Sequence, residues 1–170
     1  MEIELSTELL KKIQIHGEAA YPEEGAGFLL GLDNPTRQVL AREVLAILEL
    51  PNQREDGSRH NRYLIAAKDY LQAEQEADRL GLTLVGVFHS HPDHPDRPSD
   101  FDRDWAQPWF SYLITSIENG RAVSSRSWRL LEDRSGFMEE NVKIKPLDIS
   151  FPAGKEENPH PQPIPRGGKG

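Results

Sequence analysis

The chain has 170 residues, with 20 Lys+Arg against 28 Asp+Glu, a formal net charge of −8 and no cysteine. That length suits one ordinary globular domain, and the acidic balance argues against a nucleic-acid partner or an anionic membrane surface, both of which need a basic footprint. Without thiols, disulfides, thiol catalysis and Cys-ligated zinc are excluded, and any metal must be held by His, Asp or Glu.

The start, Met1-Glu2-Ile3-Glu4-Leu5, lacks a basic, apolar leader pattern, and no apolar run approaches the ~18 residues of a membrane span, so a cytoplasmic protein is expected. Ile3 to Leu5 alternates as a short strand. Ser6 or Thr7 can then cap a helix in which Leu9, Leu10 and Ile13 recur at helical spacing, running to about Ala20. Pro22-Glu23-Glu24-Gly25 reads as a turn, and Gly27 to Gly31 as a short buried strand ending at Asp33-Asn34-Pro35. Alternation of Val44, Ala46, Leu48 and Leu50 makes a strand of Val39 to Leu50. Gln53 to Asn61 is a charged loop, and Ala66 to Leu80 is the clearest helix, stopped by Gly81.

Leu82 to Phe88 is apolar almost throughout, as expected of a central strand covered on both faces, and it leads into His89-Ser90-His91-Pro92. A helix starts near Ser99. Tyr112 to Ile117, Val123 to Leu131 and Asn141 to Ile149 supply further strands. From Pro152 onward only Ala153 and Ile164 are apolar, so residues 152–170 form a Pro/Gly-rich tail that cannot bury itself, leaving residues 1–151 as the domain. This order predicts a mixed β-sheet flanked by helices, of the α/β or α+β class.

Successive strand side chains face opposite ways, so His89 and His91 project to the same side at the end of a buried strand. Two imidazoles and one carboxylate form a zinc site with a fourth position open for water. His-x-His alone is also the pattern of two partly exposed histidines. Ser99-Asp100-Phe101-Asp102 follows Pro98 and reads as a capping box, a motif that occurs widely at helix starts without catalytic duty. The series His-x-His, seven residues, Ser-x-x-Asp is much more specific than any of its parts. His94, Asp93 and Asp96, inside the loop between them, are expected to be solvated. His16, His60 and His160 have no partner at ligand spacing, and Trp105, Trp109, Phe101 and Phe110 read as core or cleft wall.

This series closely resembles the JAMM (MPN+) family of zinc-dependent, deubiquitinase-like metalloproteases, whose pattern is present in full as His89, His91, Ser99 and Asp102. Pro22-Glu23-Glu24-Gly25-Ala26-Gly27-Phe28-Leu29-Leu30-Gly31 is similar to the family's upstream element, with Glu24 matching its general base ahead of Glu23. Ala26 stands where stand-alone bacterial members often have a Cys that is not a metal ligand. The resemblance implies an MPN/JAB-like, cytidine-deaminase-like single domain. It implies Zn²⁺ held by His89, His91 and Asp102, proton transfer by Glu24, and oxyanion stabilisation by Ser99. It further implies hydrolysis of the amide bond after the C-terminal Gly-Gly of a ubiquitin-like, β-grasp sulfur-carrier protein, releasing cysteine or a short extension. Two alternatives are removal of a ubiquitin-like modifier from lysine, and a non-catalytic MPN scaffold; since scaffold members have lost the ligands, the complete set here disfavours the latter.

Overall fold

Local signals set most element boundaries. Ser6 ends β1 (Glu2–Ser6) and caps α1 (Thr7–Ala20), its Oγ accepting the Leu9 N–H at 3.1 Å. The computed structural model describes residues 1–34, 41–51 and 65–146, so the expectations for the 53–61 loop and the 152–170 tail lie outside the described residues. β2 (Ala26–Asn34) and β3 (Ala41–Glu49) precede α2 (Ala67–Leu80), whose first N–H groups include that of Tyr70 bonded back to Ala66. Gly81 stops α2 in the left-handed region, at φ 69°, where a side chain is disfavoured. β4 (Thr83–Pro92), α3 (Asp100–Trp105), β5 (Ser111–Glu118), β6 (Arg121–Leu130) and β7 (Phe137–Lys145) complete the order.

Three strands depart from the expected bounds, and the first is β2, which runs on through Asp33 and Asn34, where a turn was expected, because they pair with Arg42 and Ala41 of β3. β4 runs on to Pro92 because β5 lies parallel beside its whole second half, pairing His89 with Ile114 and His91 with Ser116. The strand expected from Asn141 begins at Phe137, since Phe137 and Met138 pair with Leu130 and Arg129 of β6; its expected end, 147–149, falls outside the described residues. The sheet is mixed, as expected, and it closes into a barrel in the order β1-β3-β2-β4-β5-β6-β7, with β1 parallel to both β3 and β7.

Alternation along the strands divides the core in two. On one face, Ile13 of α1 packs with Ile3, Leu5, Leu29, Val44, Phe88 and Leu113. On the other, Ala73 and Ala77 of α2 pack with Phe28, Leu30, Val87 and Tyr112. Phe88 and Ser90 of β4 therefore share the α1 face, while Val87, His89 and His91 share the face of α2 and α3. No helix among the described residues is long and apolar enough to cross a membrane.

Candidate metal centre

His89 and His91 leave the same face of β4, and α3 brings Asp102 against them. His89 Nε2 lies 3.1 Å from His91 Nε2 and 3.1 Å from Asp102 Oδ1, and His91 Nε2 lies 3.4 Å from Asp102 Oδ2. All three residues are buried. Ligand atoms held about 2.0–2.1 Å from a tetrahedral Zn²⁺ are separated by about 3.3 Å, so each of these separations is close to an edge of such a site, with the two imidazoles facing different oxygens of Asp102.

The tautomer agrees. His91 Nδ1 is 2.7 Å from the Pro95 carbonyl, which can only accept, so Nδ1 carries the proton and Nε2 of the neutral ring offers a lone pair to the triangle. Burial dominates at His89 and holds its pKa below the ordinary histidine value, against the pull of the Asp102 charge. At His91 burial also acts downward, but hydrogen bonds to Asp102 and the Pro95 carbonyl, with the Asp102 and Glu24 charges, outweigh it and raise the pKa. Burial pushes the Asp102 carboxyl up, yet the two imidazoles and the Ser99 N–H hold it far below the carboxylate range.

Ser99 and Asp102 form the expected capping box. Ser99 Oγ accepts the Asp102 N–H at 3.2 Å, and Asp102 Oδ2 accepts the Ser99 N–H at 2.6 Å and its hydroxyl at 2.7 Å. The structural and the ligand readings of this motif thus coincide in one carboxylate, whose Oδ1 faces His89 while the cap fixes Oδ2. Glu24 lies half-buried in the turn before β2, near enough for its charge to act on His91.

Other candidates fall elsewhere. Asp96 is buried, not solvated, because the loop between the ligands folds inward: the Trp128 Nε1–H donates to the Asp96 carbonyl at 2.9 Å and Ser116 Oγ to that of His94 at 2.6 Å. Asp93 is exposed yet bonded, accepting the Tyr21 hydroxyl at 2.8 Å and the Asn119 N–H at 3.0 Å. Trp109 is 66 % exposed and belongs to neither core nor cleft, although its carbonyl is held by Arg42 Nη1 at 2.9 Å. Trp105 and Phe101 do form a wall, of a cavity of about 270 Å³ shared with Val87, Tyr70 and Tyr112. His16 bonds the Ala26 carbonyl through Nε2 at 3.1 Å; His60 and His160 lie outside the described residues. Sequence reasoning passed over Ser90 and Arg134, whose contacts with the Glu24 turn and with α3 are made through backbone groups that leave no residue signature.

The fold and the buried triangle define a JAB-domain metal site, and residues 6–131 match the family described as prokaryotic homologs of the JAB domain. The chain belongs to that family and is a hydrolase of the JAMM (MPN+) type, and its buried His89, His91 and Asp102 are compatible with the metal site of that type. It is 32 % identical over 114 residues, 67 % of this chain and 70 % of the other, to a probable TtuB-protein conjugate cleaving protease of Thermus thermophilus. A solution structure of a Salinibacter ruber protein is similar at 38 % identity and TM-score 0.65, over 89 % of this chain and 95 % of that one. A solution structure of a Desulfitobacterium hafniense protein is similar at 29 % identity and TM-score 0.68, over 85 % and 93 %.

Proposed function

We propose that this protein is a cytoplasmic zinc-dependent peptidase that hydrolyses the amide bond after a C-terminal Gly-Gly of a ubiquitin-like carrier. The observation that carries this reading is the buried triangle of His89, His91 and Asp102, whose ligand atoms all lie within 4.8 Å of one another. Held there, Zn²⁺ supplies Lewis acidity that lowers the pKa of water from about 15.7 toward about 7.

The chain's own residues do the rest. Glu24 takes the proton of the attacking water and returns it to the leaving nitrogen, so that a carboxylate and an amine are formed. The Ser99 hydroxyl, at the rim of the triangle, turns from Asp102 to donate to the oxyanion, a contribution usually worth roughly 10²- to 10³-fold. A Gly-Gly end suits this reading, because a chain without side chains is the easiest to bring extended between the Glu24 turn and the strand end. Two glycines bury almost no apolar area, so affinity must come from the folded body of the carrier, and the net charge of −8 favours a basic face on it.

The bond cleaved has two possible partners on its amine side. A released cysteine or short extension is one. The Thermus thermophilus relative, named for cleaving protein conjugates, favours the other, a lysine of a second protein.

Mass spectrometry of zinc-loaded protein with a Gly-Gly carrier, extended by cysteine in one arm and lysine-linked in the other, decides between them. Cleavage after Gly-Gly, lost when the last Gly is replaced by Val, is the expected result. No release in either arm, alongside ready cleavage of unrelated peptides, would make this a general peptidase.

A further inference from the structure

Ser90 stands between the two histidine ligands and faces the other way. It is 2 % exposed, on the α1 side of β4, while His89 and His91 point toward α3. Its Oγ accepts the Gly25 N–H at 2.8 Å and its own N–H donates to the Gly25 carbonyl at 2.9 Å. Both polar groups of the Gly25 backbone are therefore held by one residue, the second bond extending the β2–β4 ladder one step beyond the Ala26–His89 pair. Gly25 directly follows Glu24. α1 closes over this point because Gly17 has no side chain: a Cβ there would lie 3.0 Å from Ser90 Cβ and 3.1 Å from Ile117 Cδ1.

We propose that Ser90 is a positioning residue for the reaction, clamping the Gly25 peptide so that the Glu24 carboxylate is aimed at the metal centre. This rests on the role assigned to Glu24 above and deepens it. The Ser90 hydroxyl is on the far face of the strand from the triangle, so it reaches neither ligand nor substrate, and its influence runs through the Gly25 N–H. The hydroxyl decides the orientation of that N–H: without it the Gly25 peptide keeps only its ladder bond to Ser90, and a misplacement of about 1 Å in a reacting group can cost about 10²-fold in rate. One stretch of three residues thus holds the metal with its outer members and the proton carrier with its middle one.

The test compares Ser90→Thr with Ser90→Val in the zinc-loaded full chain. The two side chains have the same shape and differ in the hydroxyl, so any crowding against Gly17 is common to both. On a Gly-Gly carrier with a cysteine extension, Ser90→Val is expected to lose about 10- to 100-fold in kcat with KM within about twofold, while Ser90→Thr stays within about threefold of the parent. Zinc affinity, measured by chelator competition, is expected to be the same in both.

Hydrogen exchange of the Gly25 amide gives a readout independent of turnover: protected in the parent and in Ser90→Thr, fast in Ser90→Val. Glu24→Gln runs alongside. If Glu24→Gln keeps parental activity, the proton-carrier role itself fails. If Glu24→Gln is inactive but Ser90→Val matches Ser90→Thr in kcat and in Gly25 exchange, the clamp is overturned and the role of Glu24 stands. Zinc lost from Ser90→Val alone also overturns the clamp, by showing that the hydroxyl acts through the ligands. Should Ser90→Val fail to fold, Ser90→Ala against the parent removes the hydroxyl without adding bulk, and the same kcat and Gly25 exchange decide.

Discussion

The Asp102 carboxylate has two oxygens with separate duties: Oδ1 faces His89, while Oδ2 is held by the Ser99 N–H and hydroxyl. Losing this group removes a ligand and a cap together, whereas His89→Ala removes a ligand alone. Elemental analysis is expected to give one zinc per chain in the parent and almost none in either variant, with the thermal midpoint of Asp102→Ala lower still than that of His89→Ala, because the cap is lost with the ion. At the turn, Glu24→Gln keeps all three ligands and loses only the proton carrier, so fold and zinc survive while activity falls, typically by 10²- to 10⁴-fold for general acid–base groups. Glu23→Gln is expected to be much milder; the reverse order would shift the proton carrier by one residue. The convergence of His89, His91 and Asp102 was legible in the sequence because they sit with Ser99 in one short segment, where strand alternation and the first turn of a helix fix relative directions. Asp96 was not, because its burial depends on Ser116 and Trp128, residues of two later strands that pin the loop. Nor was the clamp by Ser90, since what it binds is a backbone.

α3 has six residues, too few to hold itself in water, and yet it carries Asp102 of the triangle. Its C-terminal carbonyls are gathered by one cation: Arg134, in the β6–β7 turn, donates through Nη1 to Ala106 at 2.9 Å and through Nη2 to Arg103 at 2.8 Å and Asp104 at 3.2 Å. A positive charge there also complements the helix dipole. Arg134→Met is therefore expected to lower the thermal midpoint by a few degrees and to weaken zinc binding by about tenfold, as outer-sphere partners commonly do, with Arg134→Lys only partly restoring it because an ammonium lacks the fork. Chelator competition measures the second effect. Unchanged zinc affinity in Arg134→Met would separate α3 stability from the site. At this scale the sequence was informative about which elements exist and in what order, since helical and alternating periods are local. It was silent on where β4 and β7 stop and start, because those bounds are set by pairing with β5 and β6.

For the whole molecule, the triangle joins β4 to α3 across the loop between them, so an ion held there adds a bond between parts that are otherwise linked by hydrogen bonds. A ligand present at about 1,000 times its Kd stabilises by about 4 kcal/mol, and in a domain of this size each kcal/mol moves the midpoint by roughly 2–4 °C. Chelation is expected to lower the thermal midpoint by about 10 °C, and readdition of zinc to restore it; no shift on scanning calorimetry would show that the ion contributes nothing to the fold. The closure of the barrel has a further consequence, in time. Hairpins such as β2–β3 and β5–β6 join near neighbours, but β1 and β7 pair residues as far apart as Glu2 and Asn141, separated by 139 positions. Loop-closure entropy must be lost before such a pairing returns anything, which places folds of this kind among the slower two-state folders, in the millisecond-to-second range. Until the ends of the sheet meet, β1 and β7 each present an unpaired edge to any other chain nearby. The interval between synthesis and closure, more than any state of the finished molecule, is when this protein is most open to pairing with the wrong partner.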